Sequence, residues 1–384
     1  MTNKKLRVLV THPSSELYGT DRVLLESVDG FLEQHWTVAV ALPVTGPLVP
    51  ELQDRGVIVY RCSSPVLRKS LLSPAGVIRL VFASLIGAVK GIRVILEFKP
   101  DIIYVNTITI PLWPVLGRLS GRPVLTHVHE AEGSAPRILR IALAAPLLAA
   151  TAIVANSRYS AGVHASVVPR LRGRAEIVYN GVPGPATASP ARADRPQPLR
   201  VLYVGRLSHR KGVDVVIDAV GELHRRSVPV VLDVVGSVYP GYEPYEQSLR
   251  DSVGHQGLDE FVTFHGFHND VSAFRASSDV AVVPSRLDEP FGNTAVETLL
   301  AGRPLVVSET SGLKEAAEGY QSTQFVSPGS VQELADALHR VVNEWDYFRR
   351  TAALDSTAAA TKHSTQSYRD ALSDLIERTV CATR

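Results

Sequence analysis

The chain has 384 residues, 45% hydrophobic and 20% charged, with a formal net charge of +2. That length holds two or three domains with full cores, and the near-balanced charge excludes a nucleic-acid coat or a highly charged disordered chain. The composition also excludes collagen and coiled coil.

Cys62 and Cys381 make neither a disulfide framework nor a CxxC motif, which fits a reducing, cytoplasmic setting. The N-terminus carries two lysines and a short apolar run before His12-Pro13, too short for a signal-peptide core. The longest charge-free apolar stretch, Ile141–Ser157, is interrupted by Pro146 and falls short of a membrane span of about 20 residues. A soluble protein is expected, with association to a membrane surface left open.

Short Val/Ile/Leu runs alternate with longer helical patterns, as in parallel sheets covered on both faces. The first-half strands are expected at RVLVTH, TVAVAL, VIVY, DIIYVN, PVLTHV, AIVAN and EIVYN, with helices over Asp21–Gln34 and Pro74–Phe98. The second half restarts with LRVLYVG, VVLDVVG, FVTFHG, VAVVPS, PLVVSE and QFVSP. This predicts α/β architecture with two doubly wound domains. The first covers 1–183, a proline-rich linker 184–198, and the second 199–355. A helical tail, 356–384, follows.

In the second domain, Glu289-Pro290-Phe291-Gly292-Asn293-Thr294-Ala295-Val296-Glu297 follows an apolar strand and opens an apolar helix. Gly292 and Asn293 then sit at a helix N-terminus, whose unsatisfied N–H groups and dipole favour phosphate. Glu289 before the turn and Glu297 one turn into the helix flank that anion site. A nucleotide-sugar has the matching layout, with ribose and hexose hydroxyls on either side of a diphosphate. The plainer alternative is that the acids merely complement the helix dipole. Gly205-Arg206-Leu207-Ser208-His209-Arg210-Lys211-Gly212 follows the strand LRVLYV. Its glycines allow a tight turn, and Arg206 and Lys211 place two cations where open α/β sheets bind ligands. Arg210 reads as the surface residue of the cluster, and a solvated basic loop is the alternative.

The pair GRL-xxx-KG and EPFG-x4-E resembles the retaining nucleotide-sugar glycosyltransferases of family 4, group 1, over most of the chain. The resemblance implies the GT-B fold, two Rossmann-like domains facing a central cleft, with an acceptor-binding first domain and a donor-binding second. It implies that Arg206 and Lys211 hold the donor diphosphate and act in catalysis, together with Gly292, Asn293 and Thr294. Glu289 would bind the donor sugar with help from the Phe291–Thr294 backbone, and Glu297 the ribose. Phe267 and His268 would lie near the nucleobase, with UDP- or GDP-linked sugars as the leading donors. The tail would pack back toward the first domain.

In the first domain, Tyr18-Gly19-Thr20-Asp21 leads into a helix where family members often carry two glycines facing the donor phosphate. Gly19 is placed there; a plain turn with a cap is the alternative. PVLTHVHE ends in His127, His129 and Glu130. The two histidines share a strand face, but no third ligand at convincing spacing supports a metal. The resemblance matches His129 to an active-site histidine contacting the donor sugar; a satisfied core histidine is the alternative. Asn156-Ser157 and Asn180-Gly181-Val182 match family landmarks and also read as strand-end turns.

Residues 55–96 hold seven basic residues, Arg55, Arg61, Arg68, Lys69, Arg79, Lys90 and Arg93, and no acidic one. They include the apolar helix VIRLVFASLIGAVKGIRVIL. It reads either as a core-facing helix with a solvated basic face or as a face for anionic lipid on the inner side of the cell membrane. Residues 1–184 carry 20 Lys/Arg against 12 Asp/Glu, and residues 185–384 carry 20 against 26.

No D-x-D occurs, so the metal-clamped glycosyltransferase fold is disfavoured, and no cofactor or metal is expected. The expected activity is transfer to a hydroxyl of a glycan or lipid-linked acceptor in cell-envelope or exopolysaccharide synthesis. A nucleotide-sugar 2-epimerase of the same fold, separable by incubation with donor alone, and a non-catalytic nucleotide-sugar binder are the alternatives. The missing G-x-G-x-x-G after the first strand argues against an oxidoreductase.

Overall fold

The computed structural model describes residues 5–17, 19–67, 74–185 and 190–383. They form two compact units, Met1–Gly181 with Thr365–Arg384, and Val182–Ser364.

The first unit is built on a seven-stranded parallel sheet: β1 (Arg7–Thr11), β2 (Thr37–Leu42), β3 (Ile58–Arg61), β4 (Ile102–Val105), β5 (Val124–Val128), β6 (Ala152–Ala155) and β7 (Ala175–Ile177), in the order β3-β2-β1-β4-β5-β6-β7. Alternate side chains feed two cores, as the two-residue period of a strand requires. Val8, Val10, Val38, Val40 and Tyr104 pack with α1 (Gly19–Glu33), α2 (Leu48–Asp54) and α14 (Thr365–Cys381). Leu9, Ala39, Ala41, Ile103 and Val105 pack with α3 (Pro74–Phe98) and α4 (Leu112–Leu119). Burial on both faces is why these strands are apolar without alternation. Two more helices, α5 (Arg137–Ala144) and α6 (Arg158–Val167), complete the crossovers, and Ser157 caps α6 by accepting from the Ser160 N–H at 3.0 Å.

The second unit repeats the architecture with β8 (Leu199–Val204), β9 (Val230–Val235), β10 (Val262–Gly266), β11 (Val280–Val283), β12 (Leu305–Ser308) and β13 (Thr323–Val326), ordered β10-β9-β8-β11-β12-β13. Its main core joins α7 (Val213–Arg225), α8 (Glu243–His255) and α12 (Val331–Asn343) to β8, β9 and β11. The remaining helices are α9 (Ser272–Ser277), α10 (Asn293–Leu300), α11 (Ser311–Ala317) and α13 (Trp345–Lys362). In each unit the strand order reverses direction at one point, between β1 and β4 and between β8 and β11. Ligands of open α/β sheets bind at such points.

Two expected boundaries change. The segment 184–198 is not a free linker where it is described, because Arg192 pairs with the buried Asp279 and its carbonyl accepts from Trp345 Nε1 at 3.2 Å. Arg195 donates to Asn343 Oδ1 at 2.9 Å. Proline removes backbone donors and prevents sheet or helix, but side-chain anchors still strap the segment to the second unit. The tail begins at Thr365 rather than 356, since the Ala-rich stretch after Asp355 simply continues α13. Asp355 accepts from the Ser322 N–H (2.7 Å) and Oγ (2.6 Å), which holds that helix in the second unit.

Helix α14 packs on α1, where Tyr368 Oη and Ser27 Oγ lie 2.6 Å apart and Arg369 meets Glu26 and Glu33 at 2.6 and 2.5 Å. Gly30 permits this approach: a Cβ there would lie 2.8 Å from Arg369 Cβ.

Arg303, 1% exposed, donates to the carbonyls of Ser278 (2.9 Å), Ala276 (2.8 Å) and Ala301 (3.1 Å), clamping the ends of α9 and α10 together. Burial lowers its pKa, partly offset by Asp279. Arg303→Met leaves those carbonyls without donors and should cost roughly 3 kcal/mol, read as a lower urea midpoint.

Candidate active site

In the second unit the loops leaving β8 and β11 meet at one carboxylate. Glu289, 7% exposed, receives Lys211 Nζ at 2.7 Å and the Ser285 hydroxyl at 2.8 Å, both on Oε1. Arg210 is the exposed cation of the cluster, as expected; its Nη1 still lies 3.5 Å from the same oxygen and donates to the Asp288 carbonyl at 2.9 Å, so it also ties the loops together. A buried carboxylate needs such partners to remain ionised. The backbone adds Arg286 N–H to Arg210 O at 2.9 Å. Gly212 turns the first loop into α7 with φ +71°, and a Cβ there would lie 2.0 Å from the Pro284 carbonyl oxygen. Arg206 sits in the same loop with its guanidinium 3.4 Å from the Tyr239 ring centroid. A cation–π contact of this kind holds the charge in place without neutralising it.

Gly292 is the N-cap of α10, so Asn293 and Thr294 form its first turn and their N–H groups point out of the helix. The Phe291 ring is 3% exposed and packs 5.7 Å from the His363 ring, which anchors the turn. One turn into α10, Glu297 is ion-paired with Arg275 of α9. Both line a cavity of about 370 Å³ with Pro183, Pro185, Asp270 and Ser272, near the lower end of the range for small-molecule sites. Phe267 and His268 are exposed in the loop after β10, where His268 stacks edge-on against Phe274 at 5.0 Å.

In the first unit Gly19 begins α1, while its neighbour Tyr18 lies outside the described residues. His129 is 4% exposed at the end of β5 and belongs to a directed chain of buried hydrogen bonds. Its Nε2–H donates to Asn106 Oδ1 at 2.8 Å, and Asn106 Nδ2 donates to His12 Nδ1 at 3.1 Å. His12 Nε2–H in turn donates to Asp21 Oδ1 at 2.8 Å. Because Asn106 Oδ1 can only accept, the proton sits on His129 Nε2, and Nδ1 is left as a lone pair with no donor among the described residues. His127 stacks 3.8 Å from His129 and bonds Tyr104 Oη at 2.6 Å through Nδ1. Among the described residues no group of three or more His, Cys, Asp or Glu is placed to hold a metal ion.

Residues 187–356 match the family model of Glycosyl transferases group 1, and residues 18–183 that of Glycosyltransferase Family 4. The chain belongs to the family 4, group 1 glycosyltransferases. Alpha-D-kanosaminyltransferase of Streptomyces kanamyceticus is 30% identical over 177 residues, covering 46% of this chain and 44% of that protein. D-inositol 3-phosphate glycosyltransferase of Thermobifida fusca is 29% identical over 292 residues, 68% of this chain and 67% of that protein. The match thus spans less than half the length of the first relative. The solved structure of Anabaena HepE in complex with UDP is 20% identical, covers 97% of this chain and 100% of that chain, and superposes with a TM-score of 0.81, a likeness that shows the GT-B fold.

For this group 1 glycosyltransferase, the two loops carrying Arg206, Lys211 and Glu289 meet, and the resemblance had put them at one ligand. Arg275, the partner of Glu297, went unnoticed, as did Asn106, His12 and Asp21 behind His129. Arg275 lies in the last turn of α9; the others follow strand ends or open α1, and adjacency of β1, β4 and β5 is the signal that could have linked them.

Burial holds several histidines neutral. His129 is pushed down to about 3 by burial and then by His12, and His363 to about 4 by burial and then by Lys362. His127 and His164 are lowered by the same desolvation. In the unfolded chain these groups take up protons near pH 6.5. The native state does not, so its stability is intact above that value and is lost as pH falls toward the native pKa values. Each such histidine contributes about 1.4 kcal/mol per pH unit in that window. Glu130, raised by burial, opposes the trend as one group against four. Thermal melts should show Tm falling steadily from pH 6.5 to pH 5; a flat profile would contradict neutral burial.

Proposed function

We propose that this glycosyltransferase family member moves a sugar, with retention of configuration, from a nucleoside-diphosphate donor to a hydroxyl of a glycan or lipid-linked acceptor. The donor is UDP-linked in the first instance and GDP-linked in the second. The setting is cytoplasmic synthesis of cell-envelope material or exopolysaccharide. The observation that carries this reading is the Lys211–Glu289 pair beside Arg206, at the strand-order reversal between β8 and β11. It puts cations for a diphosphate next to a carboxylate that accepts from sugar hydroxyls. Support for UDP comes from Anabaena HepE, solved with UDP and with UDP-glucose.

In the reaction the bond from the anomeric carbon to the phosphate oxygen breaks as the acceptor oxygen bonds to that carbon from the same face. The acceptor proton passes to the departing phosphate oxygen. Arg206, Lys211 and the N–H groups at the start of α10 stabilise the charge on the leaving diphosphate, so no divalent ion is called for. We assign Glu289 no nucleophilic role; with Oε1 held by Lys211 and Ser285, it orients the sugar. Glu297, steadied by Arg275, takes the ribose hydroxyls. His129 contributes a neutral imidazole whose Nδ1 lone pair accepts from a hydroxyl.

Lys211→Ala should lower kcat by about 10²–10³-fold, the scale for one preorganised charge stabiliser. Turnover unchanged in that variant would refute the diphosphate assignment. A thermal-shift series with UDP-, GDP-, ADP- and dTDP-sugars should raise Tm by roughly 5 °C with the true donor at a hundredfold excess over Kd. Activity should persist in EDTA.

A further inference from the structure

Helix α3 is apolar on two opposite faces. Its inner face packs closely through Gly87 and Gly91, where a Cβ would lie 3.1 Å from Leu112 Cδ2 and 2.7 Å from Leu116 Cδ1, and through the buried Val94, Ile95 and Phe98. At about 100° per residue, Ile78, Phe82, Leu85, Val89, Ile92 and Leu96 project together on the opposite side. They are 46–66% exposed. Helix α4, packed against α3, adds Val115 and Leu119, the latter 79% exposed. The helix thus has the core-facing side and the exposed cations of the plainer reading, but its outward stripe is apolar, with Arg79, Lys90 and Arg93 flanking it. Soluble proteins rarely leave so continuous an apolar stripe in water without a partner.

We propose that this face of α3 and α4 is a docking surface for an anionic lipid bilayer. Charge selects that occupant. Residues 55–175 hold sixteen Lys/Arg against four Asp/Glu, and none of the acids lies between 55 and 96. Glu97, at the far end of α3, accepts from Tyr60 Oη at 3.2 Å. Anionic headgroups answer the basic flank while the apolar stripe enters the acyl boundary by about 5–10 Å. A second copy of the same face would bring three cations against three cations, with only Glu97 at the end of α3 to meet them. The helix lies on the bilayer and does not cross it, as no described helix is long and apolar enough to span. Arg68 and Lys69, which belong to the same basic run, lie outside the described residues.

The test is flotation of the purified full chain with phosphatidylglycerol vesicles and with phosphatidylcholine vesicles, without nucleotide, so that its result is independent of the donor assignment. Wild type is expected to float with phosphatidylglycerol. Reversing Arg79, Lys90 and Arg93 to Glu should weaken that partition on the order of a hundredfold. The triple change Phe82→Ser, Leu85→Ser and Val89→Ser should abolish binding to both lipids. As a readout free of any folding defect, Phe82→Trp should blue-shift its fluorescence on phosphatidylglycerol. Wild type that stays with the aqueous phase, an apolar triple variant that floats like wild type, or a dimer that the triple variant disperses without any vesicle binding would each overturn the proposal.

Discussion

The loop cluster at the strand-order reversal of the second unit depends on one buried carboxylate. Glu289 closes the angle between the loops after β8 and β11, because Lys211, Arg210 and Ser285 converge on it from both. Without that charge the adjacent cations Arg210 and Lys211 would lose their common counter-charge. With it, a rigid strip forms in which Lys211 is fixed and Arg206 is stacked on Tyr239. Gly212 and Gly312 show how tightly the strip is drawn: a Cβ at either would come within 2.2 Å of a carbonyl oxygen, of Pro284 or of Pro290. Preorganisation of this kind matters because a charge already in place needs no reorganisation when the leaving group develops its own.

The first unit reaches a similar end by a different route. Its chemistry also gathers at the strand-order reversal, with His12 after β1, Asn106 after β4 and His129 after β5. There the groups are buried, and a hydrogen-bond chain ending on Asp21 takes the place of the Lys211–Glu289 pair. Such a chain sets the tautomer of His129 and raises the cost of any partial disruption, since each broken link strands two buried polar atoms. The same burial that fixes the imidazole makes the fold sensitive to acid.

How much of this was legible in the sequence follows from what kind of pattern each feature leaves. The strands were legible because parallel strands buried on both faces are bare apolar runs, so that VAVVPS and PLVVSE mark β11 and β12 directly. The EPFG turn was legible because a strand, a tight turn and a helix start are contiguous. Arg275 with Glu297, Asn106 with His12, and Arg192 with Asp279 were not, since they join residues 22, 94 and 87 positions apart and leave no local period. The end of α13 was misplaced because Ala-rich sequence carries no stop signal before His363-Ser364. The outward face of α3 stayed open between two readings because a helix apolar on two sides looks from sequence like one that is simply buried.

The charge split between the units completes the physical picture. Residues 1–184 are net +8 and residues 185–384 net −6, yet the anion site is assigned to the acidic half. At physiological salt the Debye length is about 8 Å, so a diphosphate beside Arg206 and Lys211 scarcely senses the distant acids. The cations nearest to it decide its binding. A bilayer is a different case, because it is an extended plane of charge that meets many side chains at once. Against such a plane the sum over a whole face counts, and in this protein the face with the exposed apolar stripe is also the one from which acids are nearly absent. Local cations suffice for a small ligand, whereas a surface requires a biased half of the molecule, and this chain carries both arrangements in separate units.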